Sequence, residues 1–86
     1  MEIHFSTHFL RQAKKLSPEL RKKLSGRIEI FRKDPHDSRL RLHNLTGRLK
    51  KYHSFSLTYS IRVLLLFPKS NVALFVDIGS HDAVYR

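Results

Sequence analysis

The sequence has no cysteine among its 86 residues, which excludes disulfide staples and thiolate metal sites and leaves packing to hold the fold. Such a chain is compatible with a reducing compartment. Acid is scarce too: seven Asp and Glu stand against seventeen Lys and Arg, for a formal net charge of +10. No apolar run is long enough to cross a bilayer, and Met1 to Phe5 lacks the basic and apolar regions of a secretory signal. The expectation is a soluble, unprocessed, cytoplasmic protein with no membrane partner. No Gly/Ser- or Pro-rich linker, internal repeat or low-complexity tract divides the chain. Its length suits one modest hydrophobic core, so a single domain over 1–86 is expected.

What is present is positive charge and two kinds of periodicity. The charge favours a polyanionic partner, nucleic acid foremost, with an acidic protein as a second candidate for the same surface. Glu2 to Phe5 alternates polar and apolar residues, which predicts a short strand. Ser6 or Thr7 then caps a helix carrying Phe9, Leu10, Ala13 and Leu16 on one face. Ser17-Pro18-Glu19 restarts the helical pattern with an N-cap, a proline suited to the first turn and an acid at the positive helix end. Leu20, Leu24, Ile28 and Phe31 form its apolar stripe, and Asp34-Pro35 ends it.

From Leu49 the period changes to two. Phe55, Leu57 and Tyr59 alternate with Ser54, Ser56 and Thr58; Ile61, Val63, Leu65 and Phe67 alternate with Arg62, Leu64 and Leu66. A turn near Thr58 to Ser60 and a second at Pro68-Lys69-Ser70-Asn71 predict a meander ending in an apolar strand over 72–78. Helices early and strands late argue an α+β fold: strand, two amphipathic helices, then an antiparallel sheet with both helices on one face and the other left for a ligand. Tyr59 and the phenylalanines are assigned to the core.

Three stretches occur in a recognisable order: Leu42-His43-Asn44-Leu45-Thr46-Gly47-Arg48-Leu49-Lys50, Tyr59-Ser60-Ile61-Arg62-Val63, and Asp77-Ile78-Gly79-Ser80-His81-Asp82-Ala83-Val84-Tyr85-Arg86. Together they resemble the RelE/ParE superfamily of toxins, most closely its YafQ-like branch, and with the preceding helices the resemblance covers almost the whole chain. It implies a microbial ribonuclease-like domain, neutralisation by a cognate acidic antitoxin, and cleavage of messenger RNA in the A site of the 30S ribosomal subunit. The implied catalytic positions are His43, Arg62, His81 and Tyr85, with His53, Arg48, Lys50, Lys51 and Arg86 expected to contact RNA. Position 60, where relatives often place an acid, is Ser60.

Those residue types suit the reaction. If the substrate's own 2′-hydroxyl attacks the neighbouring phosphate, an enzyme must take one proton, give another and stabilise charge on the phosphoryl oxygens. Histidine is suited to proton transfer near neutral pH, and His43 is assigned as base and His81 as acid. Arg62 offers a permanently charged planar fork that matches phosphate. On a strand where Ile61 and Val63 face one way, it faces the other, away from the helices. Tyr85 either stacks on a base or assists proton transfer. His4, His8 and His36 are read as structural or surface groups. The histidine spacing forms no metal-ligand pattern, so neither metal nor cofactor is expected. The alternative is a ParE-like inhibitor of DNA gyrase, which has no evident use for the acid–base set; a simple basic RNA-binding module is the weakest reading.

Overall fold

The computed structural model describes residues 1–85. In chain order the elements are β1 (Glu2–Phe5), α1 (Thr7–Ala13), α2 (Pro18–Lys33), β2 (His43–Asn44), a 3-10 turn (Gly47–Leu49), β3 (Tyr52–Ser56), β4 (Ile61–Lys69), β5 (Val72–Ser80) and a four-residue helix, α3 (His81–Val84). Among the described residues no helix is long and apolar enough to cross a membrane.

Both long helices start where the sequence predicts. The Ser6 hydroxyl accepts from the Phe9 amide, and the Ser17 hydroxyl accepts from Leu20 with Pro18 in the first turn. α2 stops at Asp34, whose backbone is already extended ahead of Pro35. The strands form one five-stranded sheet in the order β1-β5-β4-β3-β2. β2 to β5 pair antiparallel, but β1 joins the edge of β5 in parallel, with Ile3 beside Ala73 and Phe5 beside Phe75. The sheet is therefore mixed rather than wholly antiparallel. Long-range pairing of this kind leaves no mark on local periodicity.

One face of the sheet carries the main core. Phe9 of α1, Leu24 and Phe31 of α2, and Leu40 from the following loop bury against Phe55, Val63, Leu65, Ala73, Phe75 and Ile78. Phe75 is the meeting point: its ring lies 5.5 Å from Phe5, 5.6 Å from Phe9, 5.1 Å from Phe31 and 6.0 Å from Phe55. All four contacts are edge-to-face, at 72°, 88°, 89° and 71°, the arrangement that ring quadrupoles favour.

A bulge interrupts the pairing of β4 with β5. Leu65 pairs with Phe75 while Leu64 pairs with Asp77, so Val76 has no cross-strand partner. The Ser6 hydroxyl donates to the Val76 carbonyl at 3.1 Å, so the residue that caps α1 also ties down the bulge. The extra residue resets the alternation: Ile78 returns to the core, and Gly79 faces the other side opposite Arg62. A Cβ on Gly79 would meet Val84 at 3.6 Å and Ala83 at 3.7 Å. α3 thus packs on the face that the long helices leave open, where Leu64 and Val84 bury outside the main core. The segment Gly79-Ser80-His81-Asp82 is the end of a strand and a capped helix start, with the Ser80 hydroxyl accepting from the Ala83 amide.

Three further positions depart from expectation. Tyr59 is 95% exposed, because Leu57 is the last inward residue before the turn and the alternation does not continue through it. Pro68 ends inside β4 rather than in the turn, which is the pair Ser70-Asn71 with Asn71 at φ 65°. The missing N–H of Pro68 falls in the irregular stretch between the Leu66–Leu74 and Lys69–Val72 pairs. Leu10 is half exposed, lining a groove between α1 and α2.

His53 lies on the helix side of the sheet, two residues before Phe55 on the same strand. Its ring packs edge-on to Phe67 at 4.9 Å, and its Nδ1 is buried with no hydrogen-bond partner among the described residues. Burial lowers its pKa below the usual histidine value, with the charges of His36 and His43 adding to the effect.

Phe31→Ala empties a site that is fully buried among Phe55, Phe67 and Phe75; urea unfolding is expected to show a loss of about 3–5 kcal/mol. For His53 the unfolded chain takes up a proton more readily than the folded one. Its contribution is therefore complete above a pH of about 6.5 and is lost as pH falls below that value toward the lowered folded pKa. Unfolding midpoints measured between pH 7.5 and 5 should fall less steeply in His53→Phe than in the wild type, and parallel curves would contradict this.

Candidate active site

The residues opposite the main core form a connected row. His43 of β2 pairs with Ser54 of β3, so both point to the same face, and Ser54 pairs in turn with Leu64. Ser54 is fully buried, and its hydroxyl is hydrogen-bonded to the hydroxyl of Tyr85. Tyr85 follows α3, and its ring stands edge-on to His81, the first residue of that helix, at 4.5 Å and 86°. The order across the face is His43, Ser54, Tyr85, His81. The two histidines assigned to proton transfer thus flank one tyrosine.

Arg62 joins this row from β4. It pairs with Ser56 on one side and Gly79 on the other, and with His81, Asp82, Ser80, Ser60 and Tyr59 it lines an open cavity of about 400 Å³. Its Nη1 donates to the carbonyls of Thr58 at 2.9 Å and Tyr59 at 2.6 Å. These bonds fix the guanidinium against the turn, and its hydrogen bonds among the described residues run through Nη1 alone. The Nε and Nη2 protons remain for an anion. Asp82 is fully exposed with its carboxylate 3.5 Å from His81 Nδ1. Ser60 lines the cavity as a neutral hydroxyl.

His43 is exposed, with Nδ1 3.3 Å from the Arg41 carbonyl, which leaves Nε2 outward. Tyr85 has its hydroxyl engaged by Ser54 and its ring against His81. That geometry fits a group that positions His81 better than one that shuttles protons. The structure therefore assembles His81, Arg62 and Tyr85 closely and places His43 beside them across Ser54.

The expected RNA contacts are more dispersed. Arg48, Lys50 and Lys51 are exposed in the loop between β2 and β3, at the Tyr52 end of a strand whose Ser56 end meets Arg62. The two ends of that strand are about 13 Å apart at the usual rise per residue. His53 is on the opposite face of the sheet from His43, Ser54 and Tyr85, so it does not join the row. Arg86 lies outside the described residues. His8 bonds Asp77 at 3.0 Å and His4 bonds Glu2, while His36 lines a cavity beside His53 on the helix side. Ser54 is the site residue that sequence reasoning missed; its place in the Ser54-Ser56-Thr58 alternation points to the open face, but only the pairing of β2 with β3 puts it next to a histidine.

No protein-family model matches the chain, and no curated protein matches it in sequence. Solved structures match it in shape. YafQ from E. coli strain BL21(DE3) superposes with a TM-score of 0.81 at 16% identity, covering 99% of this chain and 98% of that one. A YoeB/ParE toxin from Agrobacterium tumefaciens gives 0.80 at 14% identity, covering 94% and 99%. A chain of the RelB-RelE antitoxin-toxin complex from Methanococcus jannaschii gives 0.76 at 15% identity, covering 95% and 94%. At such identities the likeness is one of architecture. The chain has the RelE/YafQ-like toxin fold that its three motifs imply.

Proposed function

We propose that this protein is the toxin of a type II toxin–antitoxin system and an endoribonuclease that cleaves messenger RNA. The observation that carries the reading is the shared cavity of Arg62 and His81, with Tyr85 packed against the imidazole and His43 across Ser54. The reaction is attack of a ribose 2′-oxygen on the adjacent phosphorus. The bond from phosphorus to O2′ forms, the bond to O5′ breaks, and the products carry a 2′,3′-cyclic phosphate and a 5′-hydroxyl. His43 takes the 2′-hydroxyl proton, His81 protonates the departing O5′, and Arg62 stabilises the negative charge that builds on the phosphoryl oxygens. No metal is needed for these steps. Tyr85 holds His81 in place. Arg48, Lys50 and Lys51 extend the basic surface along the strand, where they would bind the RNA backbone without reading its sequence.

The same fold in the RelB-RelE antitoxin-toxin complex and in the E. coli DinJ-YafQ toxin-antitoxin complex supports an antitoxin as partner. A charge of +10 suits an acidic one. The groove between α1 and α2 has an apolar floor of Phe5, Phe9, Leu10, Leu24 and Ile28 under Lys14 and Arg21, which fits a helix with one apolar face and acidic flanks. Cleavage in the A site of the 30S subunit, in the cytoplasm, completes the reading.

Primer extension on cellular messenger RNA after brief induction tests it. New transcript ends are expected within translated regions for the wild type. His81→Gln should reduce them about a hundredfold or more, and Arg62→Ala by roughly 10²–10³, with both variants folded by circular dichroism. Intact transcripts together with trapped gyrase–DNA complexes would instead assign the protein to gyrase inhibition.

A further inference from the structure

Arg62 borders two cavities. Away from His81 it lines a second one of about 430 Å³ with Arg27, Arg39 and Arg41, and Tyr59 lines both. Four guanidinium groups around one cavity repel one another unless negative charge lies among them. Within the described residues only Arg39 is hydrogen-bonded to an acid, and the charge of that same Asp37 also acts on Arg27. Asp37 accepts from its Nε at 2.9 Å and from its Nη2 at 2.8 Å, and these bonds hold the Asp37 carboxyl down to about 2.

The other three cations keep donor capacity. Arg27 rises from the half-buried flank of α2, and its Nε is buried without a hydrogen-bond partner among the described residues. A buried charged donor left in that condition is uncommon. Arg41 has φ 55°, the left-handed conformation that glycine adopts with least strain, and it follows directly on the fully buried Leu40. An arginine is thus held at a backbone position better suited to another residue, where its side chain borders the cavity. Arg62 has its Nη1 tied to the turn.

Tyr59 is the remaining element. It is 95% exposed at the tip of the β3–β4 turn, so its ring does no packing, and it stands where the two cavities meet. An exposed aromatic ring beside cations is the arrangement by which proteins hold single-stranded RNA, stacking a base and pairing its phosphate.

We propose that Arg27, Arg41 and Arg62 form a second phosphate subsite and that Tyr59 is a base-stacking platform, together holding the nucleotide next to the one whose phosphate is attacked. Arg62 serves both subsites. The inference rests on the RNA-cleavage reading and extends it by a binding determinant on the far side of Arg62. The guanidinium forks suit phosphate and carboxylate alike, and RNA is favoured over an acidic peptide because a base stacks on the exposed ring of Tyr59, for which a peptide of carboxylates has no use.

The test is fluorescence anisotropy with a labelled tetrauridylate whose riboses are 2′-O-methylated, which removes the attacking hydroxyl and leaves binding alone to be read. Tyr59→Ala is expected to weaken binding about five- to a hundredfold, while Tyr59→Phe stays within about twofold of wild type. Arg41→Gly should reduce the slope of log affinity against log salt by about 0.7, the value for one lost single-strand phosphate contact. Glycine accepts the left-handed backbone there, so this variant should unfold at no lower urea concentration than the wild type, separating lost binding from lost folding. If Tyr59→Ala and Arg41→Gly bind as wild type while Arg62→Ala binds weakly, the subsite is wrong and the cleavage reading stands. If the wild type does not bind the oligonucleotide at all, the subsite is overturned, while the cleavage reading stands or falls on the primer-extension result. A tetraglutamate peptide bound as tightly as the RNA, with the same dependence on Arg41, would make the cavity a carboxylate site and overturn the proposal.

Discussion

The packing of Phe75 is the constraint on which the rest of the molecule depends. That one side chain, on a strand second from the sheet edge, meets rings from β1, α1, α2 and β3. A chain of 86 residues without disulfides has little redundancy in its core, and burial of such rings supplies much of what opposes conformational entropy. Because Phe75 meets Phe5 and Phe9 from the start of the sequence, the cluster also closes the long loop that lets β1 lie parallel to β5. Both long helices are thereby committed to one face, and polar chemistry is confined to the other.

On that other face burial and function meet at Ser54. A fully buried hydroxyl costs about 1–3 kcal/mol if left unpaired, and here the Tyr85 hydroxyl satisfies it. The bond carries the C-terminal helix back to the sheet and sets the Tyr85 ring against His81. A structural requirement of β3 therefore orients a histidine of α3, although Ser54 and Tyr85 are thirty-one residues apart in sequence. Arg62 is held differently, by carbonyls of its own turn, and this local anchoring leaves most of its donors unspent.

Much of this was legible in the sequence because it rests on short-range rules. Ser6 and Ser17 as caps, the stripes of α1 and α2, and the outward direction of Arg62 follow from periods of 3.6 and 2. The same period-two rule, applied from Phe55, places His53 on the core side, so its separation from the other site residues was readable too. Tyr59 was misplaced because alternation was carried past Leu57 into a turn. The parallel β1, the two-residue β2 beside Ser54, and the helix that covers Leu64 were not readable, since each depends on which distant segments pair.

The unpaired Val76 has a consequence for how such a protein changes over generations. One added residue decides on which side of the sheet the chain emerges, and therefore on which side His81 and Tyr85 lie. Outward side chains along β5 can be exchanged without altering its register. A deletion or insertion of a single codon between Phe75 and Gly79 would instead deliver the C-terminal segment to the helix-covered face. The fold therefore constrains the length of this stretch more tightly than its composition.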